Sequence, residues 1–184
     1  MTIDALTVPT HSIPVPETDI LVANEQFLRF RLEPDTTALL PIRQLTEVLK
    51  IPIGEIMPIP HMPTWVMGVY NWRGEILWML DLGHLLGLTP WYQQTLSGST
   101  YSAIVLHTEF NPPQNQPIGH QSLGLVVSRV EDIEWFDPGM IQSPLGSAGT
   151  TGLAPFLSGY WVKSDGEMLD VLDGNAIFDR MPRA

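Results

Sequence analysis

Apolar positions along the chain fall into short runs separated by turn-forming residues, with little sustained helical spacing. In Gln26 to Leu32, QFLRFRL, period-2 alternation sets Leu28, Phe30 and Leu32 on one face and Arg29 and Arg31 on the other, which predicts a first strand. Thr37 to Ile42 predicts a second. Arg43 to Leu49 fits either a continuing strand or one helical turn, because its apolar positions match neither period well. Pro52, Gly54, Pro58, Pro60 and Pro63 then bar a long helix and predict irregular edge strands and turns. The densest pattern follows: Val66 to Tyr70 and Ile76 to Leu80 flank Asn71-Trp72-Arg73-Gly74, a hairpin in which Gly74 takes the positive φ of a tight turn. Ile76 to Leu80 is apolar at every position and is expected to be covered on both faces. Asp81 ends that strand as N-cap of a short helix, which Gly87 closes.

The second half repeats the style. Thr89 to Thr100 reads as a polar connection, Tyr101 to His107, Leu123 to Val127 and Val130 to Phe136 as strands, and Asp137-Pro138-Gly139 as a turn. Phe156 to Lys163 and Glu167 to Leu172 form a last hairpin across Ser164-Asp165-Gly166, and Asp173 opens a short helix to Phe178. Ser143 to Ala154, small and glycine-rich, reads as a mobile segment. Asn111 to Gln121, with three prolines, reads as an exposed hairpin loop or disordered insertion, and Met1 to Glu25 as a flexible tail or an extended arm lying on the body. The fold class is all-β, barrel-like, with a few short helices.

Two echoes run through the chain. Gly74-Glu-Ile-Leu-Trp-Met-Leu-Asp81 matches Gly166-Glu-Met-Leu-Asp-Val-Leu-Asp173 at an offset of 92 residues, and Leu40 to Ile56 is matched more weakly from Leu125 to Ile141 at an offset of 85. Ordered echoes with nearly equal offsets predict two similar β subdomains. The expected organisation is a tail over 1–25, a single domain over 26–178 divided into lobes of about 26–88 and 101–178, and a short tail over 179–184.

Composition narrows the partners. The 184 residues contain no cysteine and no uninterrupted apolar run long enough to cross a bilayer, so no direct membrane insertion is expected, and the start lacks a secretory pattern. A cytoplasmic location is the expectation. A formal net charge of −11 with only nine Lys and Arg argues against nucleic acid as a partner and favours protein.

The chain lacks the patterns that chemistry requires. His11, His61, His84, His107 and His120 show no metal-ligand spacing, and no nucleophile elbow, phosphate-cradling loop or dinucleotide fingerprint occurs. Asp81, Asp170 and Asp173 could be imagined as paired acids, but capping accounts for Asp81 and Asp173. No catalytic, cofactor or metal residue is assigned. Trp78, inside an apolar strand, is expected in the core; Trp72, beside Arg73 at the turn, suits either a protein interface or local packing. Arg73 at the end of two apolar strands must be paired, solvated or kept for a partner. A small β-barrel hydrolase or metal enzyme, and a self-associating β module, are the alternatives to an adaptor.

These residues resemble one known family. Phe27-Leu-Arg-Phe, Ala38-Leu-Leu-Pro-Ile, Leu45-Thr-Glu-Val, Ile59-Pro60 and Gly68-Val-Tyr-Asn-Trp-Arg-Gly with Asp81-Leu, followed by Gly124-Leu-Val-Val, Ile141, Pro144, Gly159 and Leu172-Asp173, are similar in order and spacing to the CheW-like chemotaxis coupling family. The resemblance covers Gln26 to Phe178. It implies two SH3-like, barrel-like β subdomains packed through a shared hydrophobic core. It also implies a non-enzymatic adaptor that joins the cytoplasmic tip of a methyl-accepting chemoreceptor to the regulatory domain of a chemotaxis-type histidine kinase. The family's Asn-Leu-Arg-Gly motif falls on Asn71, Trp72, Arg73 and Gly74, with Trp for Leu, and the acidic position of its earlier segment falls on Glu47, between Leu45 and Val48. Glu47 and Arg73 are expected to pair and shape the receptor-facing surface. Gly68 would permit close approach by a kinase domain or serve a strand bend.

Overall fold

The computed structural model describes residues 24–94, 99–110, 119–143 and 152–181; the expectations for 1–23, 111–118 and 144–151 lie outside them. Among the described residues ten strands form: β1 Glu25–Leu32, β2 Thr36–Pro41, β3 Leu45–Pro52, β4 Val66–Trp72, β5 Glu75–Asp81, β6 Thr100–Phe110, β7 Gly119–Val127, β8 Arg129–Phe136, β9 Leu157–Val162 and β10 Met168–Leu172. The described residues also form two short α-helices, α1 Leu82–Leu85 and α2 Gly174–Asp179, and five 3-10 turns. Both helices start as predicted. The Asp81 carboxylate accepts from His84 N at 3.1 Å and that of Asp173 from Asn175 N at 2.9 Å.

The strands make two five-stranded sheets, ordered β8-β1-β2-β10-β9 and β3-β6-β7-β5-β4. Replacing each of β1 to β5 by the strand five further along, and the reverse, turns one order into the other. The internal echoes are therefore real structural repeats, but each sheet combines two strands of one repeat with three of the other. The lobes do not follow the chain's halves. Details repeat as well: β10 joins β2 in parallel as β5 joins β7, and isolated bridges Met57 to Val69 and Gln142 to Tyr160 extend the β4 and β9 edges.

Between the sheets lies one shared core. Leu28, Phe30, Leu32, Ala38 and Leu40 of the first sheet meet Leu80, Ile104, Leu106, Leu123 and Leu125 of the second, with Leu82 and Leu86 at α1 and Ile177 of α2 filling the ends. Phe30 is fully buried, so its truncation to Ala removes about 3 to 5 kcal/mol. The opposite face of each sheet has a smaller core: Phe27, Leu39, Phe136, Leu169 and Val171 in the first, and Ile51, Leu77, Met79, Tyr101, Ala103, Val105 and Val126 in the second. Apolar side chains on both faces of the central strands are what the unbroken apolar runs encode.

Three local readings change. Ile76 is 73% exposed, so the apolar run of β5 is not covered on both faces at its first position; Leu77, Met79 and Leu80 are buried and Trp78 packs half-buried against the shared core. The β4–β5 turn has two residues rather than four, because Trp72 pairs with Glu75 and only Arg73 (φ 55°) and Gly74 (φ 86°) remain between them. Arg43 to Leu49, open between strand and helical turn, divides between the two: Ile42–Gln44 is one 3-10 turn and Leu45–Pro52 is β3, whose bulge between Leu45 and Glu47 interrupts its period.

Candidate functional site

The hairpin tip of β4 and β5 lies against the start of β3. With positive φ at both central residues, the tip has the signs of a type I′ turn, whose twist suits antiparallel strands. Asn71 Oδ1 accepts from Gly74 N at 3.0 Å and braces it. Arg73 holds a left-handed conformation that a non-glycine residue adopts at some cost, and its side chain is 69% exposed. That side chain is oriented by Glu47: Arg73 Nη2 donates to Glu47 Oε2 at 3.0 Å, while Trp72 Nε1 donates to Glu47 Oε1. One carboxylate thus holds two successive residues of the hairpin. The Arg73 guanidinium carbon also lies 5.3 Å from the Trp72 ring centroid, within cation–π range.

Of the residues singled out from sequence, Glu47, Asn71, Trp72, Arg73 and Gly74 come together. Trp72 packs locally, its half-buried ring against the smaller core on the outer face of the second sheet and its N–H on the Glu47 carboxylate. Leu45 is placed differently and packs half-buried against the shared core. Val48 is 44% exposed. Gly68, buried at φ 142°, opens toward its own chain: a Cβ there would fall 2.1 Å from the Met57 carbonyl oxygen. Its bareness serves the strand irregularity between Val66 and Gly68, with the space toward Met57 already filled.

A second charged cluster did not stand out in the sequence. Arg29, on the polar side of β1, does not face open solvent. Its Nε meets Glu131 at 2.7 Å, Nη1 meets Glu134 at 3.2 Å and Nη2 meets Glu167 at 2.6 Å, while Lys163 Nζ meets Glu134 at 2.8 Å. Four of the five charged groups stand two positions from a residue of the first sheet's smaller core: Arg29 from Phe27, Glu134 from Phe136, Lys163 from Trp161, Glu167 from Leu169. Phe27, Phe136 and Trp161 stack at 4.3 and 4.0 Å, so the face of the first sheet opposite the shared core passes from an aromatic stack to a paired charge layer. The hydrogen bond to Glu167 and those to Glu131 and Glu134 keep the Arg29 guanidinium protonated against burial. Burial works to raise the Glu131 carboxyl, but hydrogen bonds from Arg29 and Arg129 outweigh it and hold the group below its ordinary range. The sequence signal was available only in part, as Arg29 alternating with a core face; its acids lie more than a hundred residues away.

Two acids are shifted the other way. Asp81 is buried and raised by desolvation, which N–H donors of Trp91 and His84 only partly offset. Burial alone pushes Asp170 from the ordinary 3.8 to about 6. Among the described residues no three of His, Cys, Asp and Glu converge as a metal-ligand set.

Comparison with known proteins agrees with this architecture. No curated protein gives a match. Among solved structures, the scaffolding protein TtCheW from Thermoanaerobacter tengcongensis superposes with a TM-score of 0.63 at 23% identity, over 82% of this chain and 90% of that one, which establishes a common fold. The sequence model of the CheW-like domain matches residues 26–181, and the chain belongs to the CheW-like domain family.

Proposed function

We propose that the chain is a non-enzymatic scaffold of a cytoplasmic chemotaxis-type signalling assembly, coupling the cytoplasmic tip of a methyl-accepting chemoreceptor to the regulatory domain of a chemotaxis-type histidine kinase. The observation that carries the reading is the joint hold of Glu47 on Trp72 and Arg73 at an exposed hairpin tip. Family membership and the likeness to a scaffolding protein support it. Such an adaptor makes and breaks no bond; it presents one surface to the receptor and another to the kinase, so that a shift in one partner biases the conformational populations of the other.

Magnitudes separate a docking role from a structural one. An exposed ion pair is worth about 0 to 1 kcal/mol to stability. Truncating an interface anchor costs about 2 kcal/mol or more of binding, roughly 30-fold in affinity. Arg73→Ala is therefore expected to fold normally and bind a receptor-tip fragment at least an order of magnitude more weakly, while kinase-domain binding is retained. Calorimetric titration of both fragments tests this, and unchanged receptor affinity would remove Arg73 from the docking surface.

A further inference from the structure

At the end of the second sheet remote from the hairpin tip, Leu32, Asp81, Trp91, Gln94, Tyr101, Val127 and Ser128 are among the residues around a cavity of about 10 Å³. The space is close to that swept by the centre of a single water molecule. Its lining is mixed: Asp81, Gln94, Tyr101 and Ser128 bring polar groups among Leu32, Trp91 and Val127, where a dry cavity would be apolar throughout. Tyr101 is buried, and its hydroxyl has no hydrogen-bond partner in the protein among the described residues. The other polar groups are spoken for only in part. Asp81 accepts one N–H on each carboxylate oxygen, from His84 on Oδ1 and from Trp91 on Oδ2 at 2.7 Å, which leaves acceptor capacity on both. Gln94 Oε1 accepts from Ser128 Oγ at 3.3 Å and keeps a second lone pair, whereas Ser128 is already engaged as donor to Gln94 and as acceptor from Glu33 N. The unmet requirement is one donor, Tyr101, on a cavity whose lining also holds two acceptors with spare capacity, Asp81 and Gln94.

We propose that this cavity is a binding site for one internal water molecule, which accepts from the Tyr101 hydroxyl and donates to Asp81 and Gln94. Three hydrogen bonds are the usual complement of a buried water, and a single water supplies both polarities the lining lacks. The site ties together the first residues of β6, the β5 end at Asp81 and the segment carrying Trp91 and Gln94.

A crystal structure of the full chain at a resolution that shows ordered solvent tests the site, together with water relaxation dispersion in solution, which counts long-lived internal waters. The expected result is one ordered water bonded to Tyr101 Oη, Asp81 and Gln94, and one fewer long-lived water in Tyr101→Phe. A structure in which Tyr101 Oη bonds directly to a protein atom, or in which the cavity has closed without solvent, would overturn the proposal. So would an unchanged water count in the Phe variant.

Discussion

Gly68 is where a single missing atom matters most. A methyl group there would sit 2.1 Å from the Met57 carbonyl oxygen and 2.9 Å from Pro58 Cα, both backbone positions that no side-chain rotation can clear, at a φ of 142° that L residues rarely adopt. Gly68→Ala is expected to destabilise by more than about 3 kcal/mol, beyond the usual range of point changes, read as a lowered midpoint in urea. Gly74→Ala has no neighbour to strike and meets only the cost of its positive φ, so it serves as control. Asp170 is the other telling residue. Its carboxyl, raised by burial to about 6, binds protons more readily in the folded chain than in the unfolded one. The stability it contributes is present in full below the unfolded value near 3.8 and is lost as pH rises through about 6. Asp170→Asn is therefore expected to raise the melting temperature at pH 7 relative to the native chain, with the difference shrinking toward pH 4. Equal stability gains at both pH values would show that the carboxyl's protonation is not the cause.

At the scale of elements, the two hairpin-plus-helix units are repeats whose caps carry unequal burdens. Asp173 is half-buried and its side chain accepts from Asn175 N, so Asp173→Ala should cost about 1 kcal/mol, the ordinary worth of an N-cap. Asp81 is 2% exposed and receives two N–H groups, one from α1 and one from Trp91. Its removal strands both donors, at about 1 to 3 kcal/mol each. Parallel denaturation of the two Ala variants should place Asp81→Ala lower by at least about 1 kcal/mol; equal losses would mean that capping alone explains both.

For the molecule as a whole, the exchange of strands between repeats has a direct consequence. Neither half of the chain contains a complete sheet, since each sheet takes strands from before residue 82 and after residue 99. Fragments spanning 24–94 and 99–181 are expected to be largely unfolded apart and to gain β structure when mixed, followed by circular dichroism. Independent folding of either fragment would contradict a core shared in this way.

How much of this was legible follows from the range of the forces involved. Local pattern determined the strands, because alternation and turn residues act over a few positions: QFLRFRL became β1, and both capped helices stand where Asp81 and Asp173 put them. The repeat was also readable, and so were Glu47 and the Asn71 to Gly74 tip through the family pattern. Whether Glu47 reached Arg73, and that it also took Trp72, depended on the closure of a sheet that brings β3 to β4. Ile76 shows the limit: an apolar residue in an apolar strand reads as core, yet its exposure depends on what covers that end of the sheet. Strand exchange, the Arg29 cluster and the Tyr101 cavity were decided by tertiary structure alone. Each joins groups far apart in sequence, and the short-range periodicity of side chains carries no information about which distant strand becomes the neighbour.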